Sequence, residues 1–183
     1  EFKEIFADAE ILSLNDIWFT GDIIEDWEAF LDNALIKCKV VYEFLKEKWI
    51  EANIIADDSG LCVNALNWAP GVYSARYAWG HWNNVANRAK LLKELEWKFD
   101  RSAYFSCTIV KMFPNWEYIY SEWKTYGKIL EKEIWDKSFW YDSLFFSDDL
   151  QKSFWEASNE EKNRVLHRWR AIKGLIEKEK DDR

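Results

Sequence analysis

The chain has 183 residues, 49% of them hydrophobic, and a net charge of −8 from 25 basic and 33 acidic side chains. This length predicts a single domain with a sizeable core. The acidic balance without a long basic run argues against duplex nucleic acid as a partner, and no apolar run approaches the roughly 18 residues of a membrane-spanning helix.

The first predicted elements are a helix that includes Phe2, Ile5 and Phe6 and a short strand over residues 10–14. No N-cap residue precedes the helix, so we expect the chain to begin inside it. The segment from Trp27 to Lys48 predicts an amphipathic helix. Its apolar face is formed by Phe30, Ala34, Cys38, Val41 and Leu45.

Strands are predicted next. Residues 54–56 form a short buried run that ends in two carboxylates, Asp57 and Asp58. Residues 103–113 alternate as a long strand, and residues 118–122 are its expected partner.

The C-terminal part predicts a helix. Ser158 and Glu161 have the spacing of a capping box. An apolar stripe follows, formed by Val165, Trp169, Ile172 and Ile176. Helices that alternate with strands favour one α/β domain.

The three cysteines, Cys38, Cys62 and Cys107, are odd in number and far apart, and none forms a Cys-x-x-Cys pair. This spacing argues against a disulfide framework and against a zinc site. It favours a reducing, cytoplasmic setting.

Tryptophan takes positions that suit glycine. The chain has 13 tryptophans and 6 glycines, whereas average usage predicts about 13 glycines. Trp49 follows a predicted helix where a left-handed glycine commonly ends it. Trp116 follows Asn115 between two predicted strands, where Asn-Gly is the strongest hairpin signal because both turn residues need positive φ.

Three stretches together resemble the inosine triphosphate pyrophosphatase family. They read IIADDSGLCVNALNWAPGVYSARYAWG, SFWYDSLFF and EEKNRVLHRWRA, and the resemblance spans almost the whole chain. It implies an α/β fold with an elongated mixed sheet, flanking helices and two lobes around a central cleft. It also implies hydrolysis of ITP, dITP and XTP to the monophosphate and pyrophosphate, with Mg²⁺ as cofactor, and a homodimer.

Family members begin with a strand and a Thr-Gly-Asn loop that ends in Lys and grips the triphosphate. We expect residues 1–183 to form a single pyrophosphatase domain that starts after this loop. Two other interpretations stay open: a Maf-like pyrophosphatase for other modified nucleotides, and an inactive nucleotide-binding fragment.

The family has glycine where this chain has tryptophan at five positions, which are Trp27, Trp68, Trp79, Trp123 and Trp140. We hypothesise that the gene uses a code in which UGA means glycine and was translated as if UGA meant tryptophan. UGA codons at these positions would support this hypothesis.

By resemblance, Asp58 is the general base and a metal ligand, and Ser59 contacts substrate. From the residues alone Asp57 and Asp58 cannot be ranked, although adjacent strand residues face opposite ways, so we expect one of them to face the ligand. An Asx-type turn is the alternative interpretation. The family's second acidic segment aligns so that Glu25 takes a metal role, with Asp26 as the alternative.

The SFWYD segment matches a family segment that borders the purine. Phe139 and Tyr141 are expected to stack on the ring, and Asp142 to orient the nucleoside. Trp140, at a family glycine, is expected to line the same pocket.

Lys162, His167 and Arg168 match the family's Lys and His-Arg contacts to the base. As donors they favour the 6-oxo group of a deaminated purine over the 6-amino group of adenine. Leu166 replaces a usual Ser, which is expected to remove a helix cap or a local hydrogen bond.

Overall fold

The computed structural model describes residues 9–78, 83–134 and 140–181. The predicted helix around Phe2, Ile5 and Phe6 lies outside these residues, as do Trp79 and Phe139. The elements are α1 (Phe30–Glu47), β1 (Ile54–Val63), α2 (Asn84–Glu94), β2 (Ser102–Met112), β3 (Tyr118–Ile129), β4 (Phe145–Ser147), β5 (Lys152–Ser153), α3 (Asn159–Val165) and α4 (His167–Asp181), with 3₁₀ turns at Asn64–Leu66 and Gly71–Arg76.

The described strands form one sheet in the order β1-β2-β3-β4-β5, and each neighbouring pair is antiparallel. Helices flank the sheet, which confirms the predicted α/β class. The long strand and its partner are also confirmed, because Ser102 pairs with Lys128 and Met112 with Tyr118. No parallel pairing occurs among the described strands.

Two predicted strands differ from the structure. β1 does not end at Ala56 but continues to Val63, because every residue of this stretch, Asp58 opposite Thr108 included, pairs with β2. Residues 10–14 are not a strand. A turn begins there instead, in which the backbone N–H of Ser13 donates to Asp16 Oδ2 at 2.7 Å.

The two faces of the sheet carry different helices. Ile54 packs with the apolar side of α1, whereas Ile55 packs with Ala171 and Ile172 of α4. Because alternate strand residues face opposite sides, Asp58 lies on the α1 face and Asp57 on the α4 face. β1 lies at one edge of the sheet formed by the described strands, so residues from both faces meet at its rim.

The predicted C-terminal helix is interrupted. The capping box of Ser158 and Glu161 is confirmed, but α3 ends at Val165, and the next residue, Leu166, has an extended backbone (φ −57°, ψ 131°). α4 begins at the next residue, His167. Leu166 therefore occupies the N-cap position of α4 without a side chain that can cap it.

Many tryptophans have a left-handed backbone. Ten of the 13 tryptophans lie within the described residues, and six of these ten have a positive φ. They are Trp18, Trp49, Trp68, Trp97, Trp116 and Trp140, with φ between 52° and 72°. Among the described glycines, Gly71 alone has a positive φ.

The end of α1 shows why one of these positions is left-handed. The N–H of Trp49 donates to Lys46 O, and the N–H of Ile50 donates to Leu45 O, both at 3.0 Å. These two bonds form a Schellman motif, in which the residue at the position of Trp49 is usually glycine. Residue 49 is therefore left-handed at the end of the helix, as the sequence predicted.

The hairpin between β2 and β3 differs in detail from the prediction. Trp116 has a φ of 72°, but Asn115 does not have a positive φ. Phe113 and Glu117 close a three-residue loop through a 2.8 Å backbone bond. Such loops need one left-handed residue, commonly glycine, at their last position.

Left-handed geometry is costly for residues with a Cβ. The penalty is about 1–2 kcal/mol at each position. Six positions together cost about 6–12 kcal/mol, which is comparable with the whole stability of a typical domain, about 5–15 kcal/mol. The backbone at these positions therefore favours glycine. At four of the described positions the family has glycine where this chain has tryptophan. Trp68 and Trp140 have a positive φ, whereas Trp27 and Trp123 do not.

Candidate active site between β1 and the C-terminal helices

A cavity of about 1240 Å³ opens at the rim of β1. It collects residues from α1, β1, β2, the 3₁₀ turn after Gly71, and the segments around α3 and α4. The lining residues are Asp22, Ile23, Ile24, Glu25, Lys37, Asp57, Asp58, Ser59, Val72, Ala75, Arg76, Phe105, Trp140, Asp142, Phe154, Asn159, Lys162, Leu166, His167 and Arg168.

Most of the predicted site residues meet in this cavity. Those that line it are Glu25, Asp58, Ser59, Trp140, Asp142, Lys162, His167 and Arg168. Tyr141 does not line it: its ring is fully buried beneath, and its hydroxyl donates to Ser74 O at 2.9 Å. Asp26 is exposed and is not among the lining residues either.

One part of the cavity, here the carboxylate end, is formed by Glu25, Lys37, Asp57 and Asp58. The Lys37 ammonium lies 2.9 Å from Glu25 Oε2 and 3.4 Å from Asp58 Oδ1. It also donates to Asp57 O at 2.9 Å. A cation thus lies between two carboxylates that belong to different segments.

Asp58 has a base-like environment. Asn33, itself buried, donates from Nδ2 to Asp58 Oδ2 at 3.1 Å. Burial raises the pKa of Asp58 above its usual range, although the Lys37 charge and the Asn33 hydrogen bond oppose part of this rise. A carboxylate with a raised pKa accepts a proton more readily at neutral pH.

Asp57 also borders the cavity, which differs from the expectation that one of the two carboxylates would face the ligand. It lies on the α4 face, where its Oδ2 accepts from Arg168 Nε at 3.0 Å and from the Ser59 hydroxyl at 3.1 Å. The cavity wraps around an edge strand, so residues on both faces reach it. The alternation of side chains along a strand could not by itself predict that Asp57 and Asp58 both border the cavity.

The acidic loop that carries Glu25 is fixed from two sides. Arg76 Nη2 donates to Glu25 O at 2.7 Å. Asn33 exchanges hydrogen bonds with the backbone of Trp27, at 3.2 and 3.1 Å. Nothing in the sequence marks Lys37, Asn33 or Arg76, because each has an ordinary place on a helix or turn and only folding brings it to the acidic loop.

The opposite part, here the aromatic end, is formed by Phe105, Trp140, Phe154 and His167. Phe105 from β2 is its centre. Its ring stacks on Trp140 with centroids 5.3 Å apart and on His167 at 5.2 Å. Phe154 lies 5.8 Å away and nearly parallel. Phe105 and Phe154 were not predicted as site residues, because in the sequence they look like ordinary core residues.

His167 is neutral in this environment. Burial lowers its pKa from 6.5 to about 3, and the nearby Arg168 charge adds to the effect. Its Nδ1 atom is buried and has no hydrogen-bond partner among residues 9–78, 83–134 and 140–181. A neutral imidazole carries one donor and one acceptor, so His167 is not purely a donor as the sequence suggested.

Asp142 and Lys162 form an ion pair of 2.7 Å beside the aromatic end. Burial raises the pKa of Asp142, and Lys162 opposes this rise. The pair presents a donor and an acceptor side by side to the cavity.

The carboxylate end is chemically suited to a divalent cation. In the described part of the chain no group of three or more His, Cys, Asp or Glu side chains is arranged to hold a metal. Mg²⁺, however, is commonly bound by one or two carboxylates together with substrate phosphates. Glu25 and Asp58 supply that number, and the Lys37 ammonium already marks a cation position between them.

Comparison with known proteins bears on what such a cavity does. The model of the Ham1 family matches residues 1–178. A protein named dITP/XTP pyrophosphatase from Clostridium perfringens is 43% identical over 180 residues, which cover 96% of this chain and 88% of that protein. A dITP/XTP pyrophosphatase from Bacillus licheniformis is 41% identical over 179 residues, with coverage of 96% and 89%.

Solved structures show the same likeness. The Ham1 protein of Staphylococcus aureus superimposes with a TM-score of 0.88 at 34% identity, over 100% of this chain and 92% of that one. A HAM1 protein from Coxiella burnetii gives a TM-score of 0.81 at 32% identity, with coverage of 94% and 88%.

Proposed function

This chain belongs to the Ham1 family, and from that membership we propose that it hydrolyses deaminated purine nucleoside triphosphates, namely ITP, dITP and XTP, to the monophosphate and pyrophosphate. Relatives at about 40% identity carry the name dITP/XTP pyrophosphatase. The family resemblance read from the sequence motifs is thereby confirmed.

One observation supports the proposal above others: a single cavity contains both kinds of group that the reaction needs. Its carboxylate end offers a proton acceptor and a cation beside it. Its aromatic end offers flat surfaces and paired donors and acceptors for a base. A nucleotide that places its phosphates at the first end and its purine at the second would fill the cavity.

Asp58 is the proposed general base. Its carboxylate borders the cavity and can accept a proton from the attacking water. Lys37 lines the same end of the cavity, 3.4 Å from the Asp58 carboxylate, and its ammonium would neutralise charge on a polyphosphate bound there.

We propose Mg²⁺ as the cofactor, held by Glu25 and Asp58. When bound, it would neutralise the polyphosphate and so favour departure of pyrophosphate. Lys37 would then exchange its carboxylate partners for phosphate oxygens.

Base recognition is assigned to Asp142, Lys162, His167 and Arg168. Lys162 and Arg168 donate, Asp142 accepts, and neutral His167 can do either. A 6-oxo purine offers acceptors at O6 and N7 and a donor at N1, which this set can satisfy. If Lys162 or Arg168 donates to O6, the 6-amino group of adenine would face that same donor and leave a buried polar group unpaired.

A cytoplasmic location, a homodimer and the assignment of residues 1–183 to one pyrophosphatase domain also stay predictions. The described residues contain no helix long and apolar enough to span a membrane. Light scattering on the purified protein would test the dimer.

The test of the proposed function is pyrophosphate release from ITP, dITP, XTP, ATP and GTP, with orthophosphate measured in parallel. We expect pyrophosphate from the first three and little from ATP. Asp58→Asn is the negative control, because it keeps the shape of the side chain without its proton acceptor. A preference for other modified nucleotides would favour the Maf-like alternative, and binding without turnover would favour the inactive fragment.

A further inference from the structure

Trp140 occupies an unusual place in the cavity. Its ring stacks on Phe105 with centroids 5.3 Å apart and an interplanar angle of 25°. Its Nε1 atom is buried and has no hydrogen-bond partner within the described part of the chain. A buried indole N–H normally finds an acceptor. The polar groups around the indole therefore do not explain why tryptophan is at this position.

The backbone of residue 140 is also unsuited to tryptophan. Its φ is 52°, in the left-handed region. The carbonyl of Trp140 accepts from Arg88 Nη1 at 2.9 Å, and Arg88 is fully buried. Because this contact fixes the backbone, the direction of the Cα–Cβ bond is fixed, and the side chain is directed into the cavity that it lines.

The indole resembles a purine in shape. Both are flat, fused systems of a six-membered and a five-membered ring. Phe105 offers the stacking surface, and His167, whose Nδ1 has no partner among the described residues, stacks on the same ring at 5.2 Å. A hypoxanthine ring on Phe105 would bring acceptors and a donor to this imidazole, whereas the indole brings a single N–H that is not paired with it.

We propose that residue 140 gates the purine slot: the Trp140 indole lies on Phe105 where the fused rings of a purine nucleotide would lie, so the base has to displace the indole and binds more tightly when this residue is small. The inference rests on the proposed function, because it takes the aromatic end as the site of the base. It makes residue 140 a determinant of purine affinity rather than a contact to the substrate.

The test uses IMP as the probe, because it has the purine without the hydrolysable phosphates. Binding is measured by calorimetry for the unsubstituted protein, Trp140→Gly and Trp140→Ala. The alanine variant removes the indole but keeps a Cβ at positive φ, so it separates steric blocking from backbone strain. Trp116→Gly is the matched control, since it relieves a φ of 72° on a hairpin that does not line the cavity.

We expect both variants at position 140 to bind IMP about tenfold or more tightly than the unsubstituted protein, since one base–aromatic stack is worth that order of affinity. Trp116→Gly should leave the affinity unchanged. In Trp140→Gly, added free indole should compete with IMP. Equal IMP affinity of the unsubstituted protein and folded variants at position 140, or a gain with glycine but not with alanine, would overturn the gate.

Pyrophosphate release from ITP, measured on the same proteins, separates the two proposals. Variants that bind IMP more tightly but release no pyrophosphate support the gate and contradict the proposed function. Variants that release pyrophosphate while their IMP affinity equals that of the unsubstituted protein support the proposed function and contradict the gate.

Discussion

Arg168 and Asp57 form an ion pair of 3.0 Å that joins the first turn of α4 to β1 at the cavity. Asp58, which follows Asp57 in β1, has different partners, Lys37 and Asn33, on the other face of the sheet. Two adjacent carboxylates thus have separate surroundings. Substitutions at the two positions are therefore expected to have different kinetic effects.

Asp58→Asn is expected to lower kcat for ITP by about two to four orders of magnitude, the usual contribution of a general base. The fold should persist, because asparagine keeps the shape of the side chain. Asp57→Asn is the matched control: it should raise KM about tenfold with little change in kcat, because it loosens Arg168. Steady-state kinetics with circular dichroism checks both. Near-normal turnover in Asp58→Asn would remove Asp58 from the mechanism.

Selectivity for the base is the second prediction. An unpaired buried polar group costs about 1–3 kcal/mol, and about 1.4 kcal/mol corresponds to a tenfold change. We expect kcat/KM for ITP to exceed kcat/KM for ATP by at least about tenfold in the protein with glycine restored at Trp68, Trp79 and Trp140. The ratio should shrink in His167→Ala and in Arg168→Ala. Equal hydrolysis of ATP and ITP would refute the assignment of the base pocket.

Acid sensitivity follows from the buried His167. Its pKa falls from 6.5 in the unfolded chain to about 3 in the folded protein. The unfolded state therefore binds a proton that the folded state does not, and the free energy of unfolding decreases by about 1.4 kcal/mol per pH unit as the pH falls through this window.

His167→Gln removes this proton uptake and should give a shallower decrease in stability between pH 6.5 and about 3. Urea unfolding at a series of pH values measures it. An unchanged slope would show that His167 is protonated in the folded protein.

Restoring glycine should stabilise the fold. Trp49 and Trp97 have φ values of 58° and 65° and indoles that are each 95% exposed, so little packing is lost when they are removed. Each change to glycine is expected to relieve about 1–2 kcal/mol and to raise Tm by about 2–8 °C. Trp68→Gly and Trp140→Gly should act in the same direction.

The control for this effect is Phe99→Gly, because Phe99 is also fully exposed but has no positive φ. It should not raise Tm. A gain of the same size at Phe99 would assign the effect to loss of an exposed aromatic ring, and no gain at Trp49 or Trp97 would contradict the strain argument.

The coding DNA provides an independent test. The left-handed tryptophans should be encoded by UGA, read as glycine in the source organism, at positions 18, 49, 68, 97, 116 and 140. Sequencing the gene and measuring peptide masses of the native protein would show it. UGG codons at these positions would refute the recoding hypothesis.

The sequence by itself determined the family, the α/β class and the local backbone chemistry. The pairing of residues 103–113 with 118–122, the capping box at Ser158 and the left-handed Trp49 and Trp116 all follow from patterns within a few residues. Local steric and hydrogen-bonding preferences act over that range, so they are legible in the chain. Length and charge likewise restricted the class of partner before any fold was known.

Only the tertiary structure decided which side chains share the site. Lys37 on α1, Phe105 on β2 and Arg76 on a 3₁₀ turn reach the cavity through packing, and nothing in their local sequence marks them. Tyr141 is buried beneath the cavity although a sequence motif placed it among the base contacts. Asp57 and Asp58 both border the cavity because β1 is an edge strand. That is a property of the sheet, which arises only when distant segments pair.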